Sequence, residues 1–160
     1  MPPIDPETFR YLCGFFPTGV AVVTTRGPDG GPVGMTANSF TSVSLDPPLV
    51  SVSIDRAAEM HRHILDAERF AINILAGGQE SLSRRFAAVM DDRFAEVVYS
   101  WNDAGLPILS GTLASVLCER VAAHAAGDHT IVLGRVTGGG AGQGRPLLFY
   151  RGLYYDGSLE

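Results

Sequence analysis

The sequence predicts a mainly β fold, a closed antiparallel barrel with a few short flanking helices. Three observations carry that prediction. About seven short segments show strand character, several of them alternating apolar with small hydroxyl residues at period two. Helical segments are few and do not alternate regularly with the strands, which argues against a doubly wound parallel sheet. Strands of this kind expose unpaired edges unless the sheet closes on itself.

The elements follow in order. Asp5-Pro6-Glu7 is a helix start, with an N-cap, a proline in the first turn and an acid beside it, and the helix runs to about Leu12. Pro17-Thr18-Gly19 ends that segment. VAVVTT, from Val20 to Thr25, reads as a buried strand, Gly27 to Pro32 as a hairpin turn, and Val33 to Thr36 as the returning strand. Phe40 to Ser44 and Leu49 to Ile54 alternate small hydroxyl residues with apolar ones, and Asp46-Pro47-Pro48 between them is a corner, because adjacent prolines donate nothing to a ladder. A helix is expected over Ala57 to Leu65, a strand over Phe70 to Leu75, and a helix over Gln79 to Met90 with Leu82, Phe86 and Val89 at helical spacing. A strand is expected near Val97 to Trp101. Thr112 to Ala125 is compatible with helix or strand. The turn at Gly127-Asp128 and the clear strand from Thr130 to Thr137 favour strand. Gly138 to Arg145 reads as a flexible surface loop, and Leu147 to Tyr155 as the last strand.

The 160 residues fit one domain, 1–160, long enough to bury a core without staples. Hydrophobic residues make up 46% and charged residues 18%, a globular composition. A net charge of −5 without a basic block argues against non-specific nucleic-acid binding. The two cysteines, Cys13 and Cys118, have no metal-ligand spacing and read as buried thiols in a reducing compartment. The start lacks a signal-peptide pattern and no apolar run is long enough to span a bilayer, so the cytoplasm is the expected location.

The four histidines offer no metal-ligand spacing, with His61 and His63 expected at the surface, and no metal is expected. No serine lies in a nucleophile elbow. Gly138 to Gly144 (GGGAGQG) is not a dinucleotide fingerprint, since a strand rather than a helix follows it. Any nicotinamide nucleotide therefore binds without a Rossmann unit. Thr36-Ala37-Asn38-Ser39 crowds small donors and acceptors where no bulky side chain keeps a ligand from the backbone.

Gly34 to Ile54 reads GMTANSFTSVSLDPPLVSVSI and resembles the signature of the flavin reductase family. The likeness continues through FAINIL (Phe70 to Leu75), QESLSRRFA (Gln79 to Ala87), GDHTIVLGRV (Gly127 to Val136) and PLLFYRGLY (Pro146 to Tyr154), in the family's order. The resemblance implies an FMN-binding split β-barrel that forms a homodimer with its flavin site near the interface. It implies NADH or NADPH as donor, FMN or FAD as acceptor, and hydride transfer from nicotinamide C4 to flavin N5. Reduced flavin would then pass to a monooxygenase partner.

The resemblance also implies site residues. Met35, Thr36, Ala37, Asn38 and Ser39 would lie along the isoalloxazine and ribityl chain. Ser53, Ile54, Asp55 and Arg56 would lead to the flavin phosphate. There the chain departs from the family, with Ala57-Ala58-Glu59-Met60 in place of hydroxyl residues, which shifts the weight to Arg56 or to the following helix N-terminus. Arg84 and Arg85 are further phosphate candidates, or a solvated helix face. Phe86 either flanks the flavin or fills the core, as its spacing with Leu82 equally supports. His129, after Gly127-Asp128, is expected to face the nicotinamide and is the candidate catalytic residue; capping its own turn is the alternative. Tyr154 shares that side or is a half-buried rim aromatic. A module that keeps its FMN as an electron relay, without turning over NAD(P)H, remains the alternative function.

Overall fold

The computed structural model describes residues 3–158. Helix α1 (Pro6–Cys13) starts as expected, with Asp5 Oδ1 accepting from the Thr8 amide at 2.9 Å. None of its residues is buried. A two-residue strand β1 (Thr18–Gly19) replaces the expected break, because its backbone pairs with a late strand. Strands β2 (Ala21–Arg26), β3 (Pro32–Ala37), β4 (Thr41–Leu45) and β5 (Pro48–Asp55) follow, with the β4–β5 corner at Asp46–Pro47–Pro48. Next come α2 (Glu59–Asp66), β6 (Arg69–Ile74), a 3-10 turn at Gly77–Gln79, α3 (Glu80–Ala87), and the short pair β7 (Tyr99–Trp101) and β8 (Pro107–Leu109). The long strands β9 (Ala114–Ala126) and β10 (His129–Ala141) precede the final hairpin, β11 (Leu147–Tyr150) and β12 (Leu153–Asp156).

Seven strands form one antiparallel sheet in the order β3-β2-β6-β9-β10-β5-β4. The fold is mainly β with few helices. Among the described residues no ladder joins the outer strands β3 and β4, so the sheet is not closed by backbone hydrogen bonds as the sequence suggested. It is nevertheless strongly curled. Ala21 and Val23 of β2, Ala37 of β3, and Val50, Val52 and Ile54 of β5 belong to a single buried cluster with Phe70, Ile72, Cys118 and Val132, although β2 and β5 stand four places apart in the sheet. Met60 and Ile64 of α2 complete that cluster. Burying each such side chain contributes about 1.5–3 kcal/mol. Gly134 belongs to the design: a Cβ there would stand 2.6 Å from the Phe70 ring and 2.8 Å from Cys118 Cβ.

A second cluster lies on the other face of β2. Val20 and Val22 pack there with Leu75, Phe86, Phe94, Leu109 and Leu147. Strand β2 is therefore buried on both faces, which is why VAVVTT does not alternate. Its buried hydroxyls are satisfied: Thr24 Oγ1 donates to the Pro107 carbonyl at 2.7 Å and Thr25 Oγ1 to the Arg69 carbonyl at 2.7 Å. Asn73 Nδ2 donates to the Val22 carbonyl, and Asn73 Oδ1 accepts from the Leu109 amide.

Several expectations are corrected. Gly138 to Ala141 is strand, not loop: Gly138, Gly139, Gly140 and Ala141 pair with Leu117, Val116, Ser115 and Ala114. Glycines carry no side-chain period, so only the partner strand reveals the pairing. The segment over Leu147 to Tyr155 is a hairpin, turning at Arg151-Gly152, where both residues have positive φ. Helix α3 stops at Ala87 and leaves Val89 fully exposed, because the Arg93 guanidinium takes the Ala88 carbonyl. His63 is buried, and His61 Nε2 stands 2.8 Å from Thr130 Oγ1, so neither is a plain surface histidine. Cys118 is buried as expected, whereas Cys13 is exposed on the unburied helix α1.

Burial pushes the Cys118 thiol up to about 12. A colorimetric thiol reagent at mildly alkaline pH should therefore titrate Cys13 alone in the native protein and both cysteines after denaturation. Fast labelling of both in the native state would refute this packing.

Candidate functional site

The Thr36-to-Ser39 segment leaves β3 at its buried end and enters an open groove of about 520 Å³. Thr18, Gly19, Ala37, Asn38, Ser39 and Phe40 form much of its wall. The full lining is neutral, a mixture of apolar residues with hydroxyl and amide groups. A second, larger groove of about 860 Å³ adjoins it, sharing Phe16, Thr18 and Asn38, and runs between α1 and the β11–β12 hairpin.

The sequence candidates separate into groups. Asn38 and Ser39 line the smaller groove. Ser39 Oγ donates to the Ser53 carbonyl at 3.1 Å and accepts from the Ser53 amide at 2.9 Å. One hydroxyl thus fastens the β3–β4 connection to β5 where no ladder does. Ile54 is buried in the main core. Asp55 caps its own turn, its Oδ1 accepting from the Ala57 amide at 2.8 Å, and the Arg56 amide donates to the Asp128 carbonyl at 3.0 Å. The amides of Ala57 and Ala58 are both occupied by Asp55 and that of His61 by the Ala58 carbonyl, so only Glu59 and Met60 are left to present free amides at the N-terminus of α2. His129 stands opposite Asp55 in the β5–β10 ladder, which puts His129, Asp55 and Arg56 on one rim. Its side chain is 42% exposed, with Nδ1 2.7 Å from Asp128 Oδ1. The imidazole beside it holds the Asp128 carboxyl below the usual carboxylate range.

A separate group gathers on α3. Thr36 Oγ1 donates to the Ser83 carbonyl at 2.6 Å, and Ser83 Oγ meets the Tyr154 hydroxyl at 2.8 Å. The Arg84 guanidinium lies 4.9 Å over the Tyr154 ring and is held by Glu80 at 2.7 Å. Arg85 donates to the Arg93 carbonyl. Phe86 has no exposed surface and packs edge-on against Phe94, with Gly34 giving it room: a Cβ there would stand 3.0 Å from the ring. Met35 is half-buried against the main core. Sequence reasoning passed over Thr18 and Gly19, read only as the end of a segment, and over Arg10 and Arg151. Only their place beside Asn38 marks them, and that place is tertiary.

A family model described as the flavin reductase like domain matches residues 13–158. The chain belongs to this family. A flavin reductase (NADH) of Kitasatospora aureofaciens is 45% identical over 161 residues, covering 98% of this chain and 84% of that protein. The reductase subunit of a flavin-dependent monooxygenase of Rhodococcus jostii is 40% identical over 152 residues, covering 94% and 77%. Among solved structures, the NADH:FAD oxidoreductase of Streptomyces globisporus with NAD and FAD fragments superposes with a TM-score of 0.92 at 37% identity, covering 100% of this chain and 99% of that one. The sequence signature that runs from Gly34 to Ile54 in this flavin reductase thus supplies one wall of the smaller groove, Ala37 to Thr41, and its tie to β5.

Replacing Ser39 with Ala removes both bonds to Ser53 and leaves the Ser53 amide without its partner. Stability in urea should fall by about 1–2 kcal/mol. An unchanged transition would show that Ser39 does not fasten the two strands.

Proposed function

We propose that the chain is an NAD(P)H-dependent flavin reductase that uses FMN or FAD as acceptor and NADH or NADPH as donor, delivering reduced flavin to a monooxygenase component. The observation that carries the reading is the groove at Asn38 and Ser39. Its lining is neutral and small, and Thr18 Oγ1 is the one buried side-chain polar atom without a hydrogen-bond partner among the described residues. A Cβ built on Gly19 would meet nothing within 4 Å. Neutral donors and acceptors beside open, small-residue walls fit a planar ring system with carbonyl and imide edges.

When bound, the flavin supplies the hydride-accepting chemistry. The chain's part is to hold and to shield. Thr36, Ala37, Asn38 and Ser39 are proposed to follow the ring and ribityl chain, Met35 to support them from the core, and Ser53 to fix Ser39. Arg56 is proposed to meet the phosphate at the rim, beside Asp55 and behind Ile54. His129, opposite Asp55, is proposed to orient the nicotinamide nucleotide, with Asp128 fixing its Nδ1 side. Arg84 and Tyr154 are proposed to flank the nucleotide side as a stacked pair, whereas Arg85 and the buried Phe86 support α3 from within. No nucleophile is required of any of them.

The finer architecture proposed is a split barrel, read as one domain over 1–160 and supported by the curl that brings β2 and β5 into one core. A homodimer is proposed through the outer face of β5 and β10. There Ser51 pairs with Leu133 and Ser53 with Ile131, and Val121 is exposed on β9 nearby. The cytoplasm is proposed as the compartment, on the two free cysteines and the absence, among the described residues, of a helix long and apolar enough to cross a membrane. Light scattering at micromolar concentration should give twice the chain mass, and a monomer would refute the dimer.

Purified protein should oxidise NADH or NADPH at a steady rate that scales with added free flavin. A tightly yellow protein inert to both nucleotides would replace this reading with a flavin carrier.

Two substitutions divide the roles. Asn38→Trp should abolish flavin binding in a folded protein, and unchanged affinity would sink the groove assignment. His129→Ala should raise KM for the nucleotide several-fold with flavin affinity and melting temperature nearly kept. Lower stability with unchanged nucleotide kinetics would make His129 a turn residue only.

A further inference from the structure

The end of β2 away from the smaller groove gathers cations. The chain has no lysine, so its twelve cationic side chains are all arginine. Four of them stand at one level of β2, β6, β9 and β10, which are consecutive in the sheet. Arg69 of β6 is paired with Glu119 of β9, and Glu119 with Arg135 of β10. Arg120 follows Glu119, its Nε donating to the Ala67 carbonyl at 3.0 Å. The β2–β6 register pairs Thr24 with Ala71, and carried two residues further it sets Arg26 opposite Arg69. Thr25 Oγ1 donates to the Arg69 carbonyl at 2.7 Å and fixes the two strands there.

This arrangement lacks compensation. Like charges directly opposite on neighbouring strands are destabilising. The one carboxylate in the row, Glu119, is taken by Arg135 at 2.6 Å. The hydrogen bond from Arg135 and, after it, the charge of Arg69 hold the Glu119 carboxyl below the usual carboxylate range. Among the described residues no carboxylate stands within salt-bridge distance of Arg26 or Arg69. Both arginines line an open groove of about 350 Å³, and Glu68 on the same wall pairs with neither.

Arg26 is also held in place. Its guanidinium lies 4.6 Å over the ring of Trp101, which is itself 39% exposed. Stacking of this sort holds the plane and leaves the edge donors free for bidentate contact with a carboxylate. Arginine and tryptophan are the residue types that concentrate binding energy at protein interfaces. The row crosses four strands, about 14 Å at about 4.8 Å for each interval. That is longer than one small oxyanion spans and is matched by a run of acidic side chains. The net charge of −5 on the whole chain disfavours a long polyanion such as nucleic acid.

We infer that this face docks an acidic segment of a partner protein, whose carboxylates take Arg26 and Arg69, with Arg120 and Arg135 at the far end of the row. Strand β2 starts at the smaller groove, which Val20 and Ala21 line, and reaches Arg26 about 17 Å further on. A segment seated there leaves the groove open, so the inference does not depend on what the groove binds.

The probe is a fluorescently labelled decaglutamate peptide, followed by anisotropy against the full chain. Emission of Trp101, the only tryptophan, reports binding at Arg26. The wild type should bind the peptide saturably in dilute buffer, change its Trp101 emission in step, and release the peptide as salt rises to about 500 mM. Arg26→Gln and Arg69→Gln should each weaken binding about fivefold, the most that one exposed ion pair contributes, and the double variant should weaken it further. Arg62→Gln, on α2 beside Glu59, should bind as the wild type does. The Arg69→Gln variant loses one of two opposed like charges, so its melting temperature should not fall below that of the wild type. Absence of saturable binding, or equal binding by wild type and double variant, overturns the inference. So does equal weakening in Arg62→Gln, which makes the attraction non-specific. Citrate bound as tightly as the peptide would make this a small-anion site instead, and a single-stranded decanucleotide bound more tightly would make it a nucleic-acid surface. NADH turnover with added flavin should be the same in every variant. A wild type inert to NADH that still binds the peptide would defeat the reductase reading and leave this inference standing.

Discussion

The structure depends on β2 and β6 having no solvent face. Strand β2 carries apolar residues into the main core on one side and into the Phe86–Leu109–Leu147 cluster on the other, while β6 sends Phe70 and Ile72 into the main core, buries Ala71 and Asn73 on its other face, and is followed by Leu75 in the second cluster. Two strands so placed must resolve every polar group internally, and they do, through Thr24, Thr25 and Asn73. The helices and hairpins of the periphery are what cover the second face. The grooves open where that cover ends, at the segment that leaves β3 and the short strand before β2.

The site is assembled from chain segments that are not neighbours in the sequence. Thr18 arrives from before β2 and Asn38 and Ser39 from after β3, and Ser39 is fastened to Ser53 at the end of β5 by a pair of bonds to one hydroxyl rather than by a ladder. That arrangement leaves backbone and small side chains at the wall. The polar clusters on α3 and at the β5–β10 rim are tied by short hydrogen bonds of their own. Preorganised walls of this type suit a protein whose partner molecules bring the reactive atoms.

Much of this was legible in the sequence, and the failures have physical causes. Alternation marked β4 and β5 correctly, the proline corner between them is present, and Asp5 capped its helix as read. The glycine run at Gly138 was misread because strand pairing there is backbone alone. The last strand was read through its own turn, since arginine does not advertise a left-handed residue. Closure was over-read: alternation establishes that strands have an inside, and the inside here is completed by side chains across the gap between β3 and β5. Cys13 was misplaced because cysteine is buried by residue type in most folds, whereas α1 buries none of its residues within this chain.

The β7–β8 hairpin has a wider meaning in the way it is held. Thr24 grips the carbonyl of Pro107, and Asn73 grips the amide of Leu109. Both ties address main-chain atoms, which every amino acid other than proline supplies in full and which proline supplies at its carbonyl. The inward residues Leu106 and Leu109 must stay apolar, Tyr99 packs on Phe94, and Trp101 carries the Arg26 guanidinium 4.6 Å over its ring, whereas the other exposed positions make no such contact. Such a segment can drift in sequence, accept insertions at its tip and change its outer surface while the core beneath stays as it is. The exposed positions of this hairpin, unlike Phe94 of the buried cluster before it, are where its outer surface can change with least disturbance to the fold.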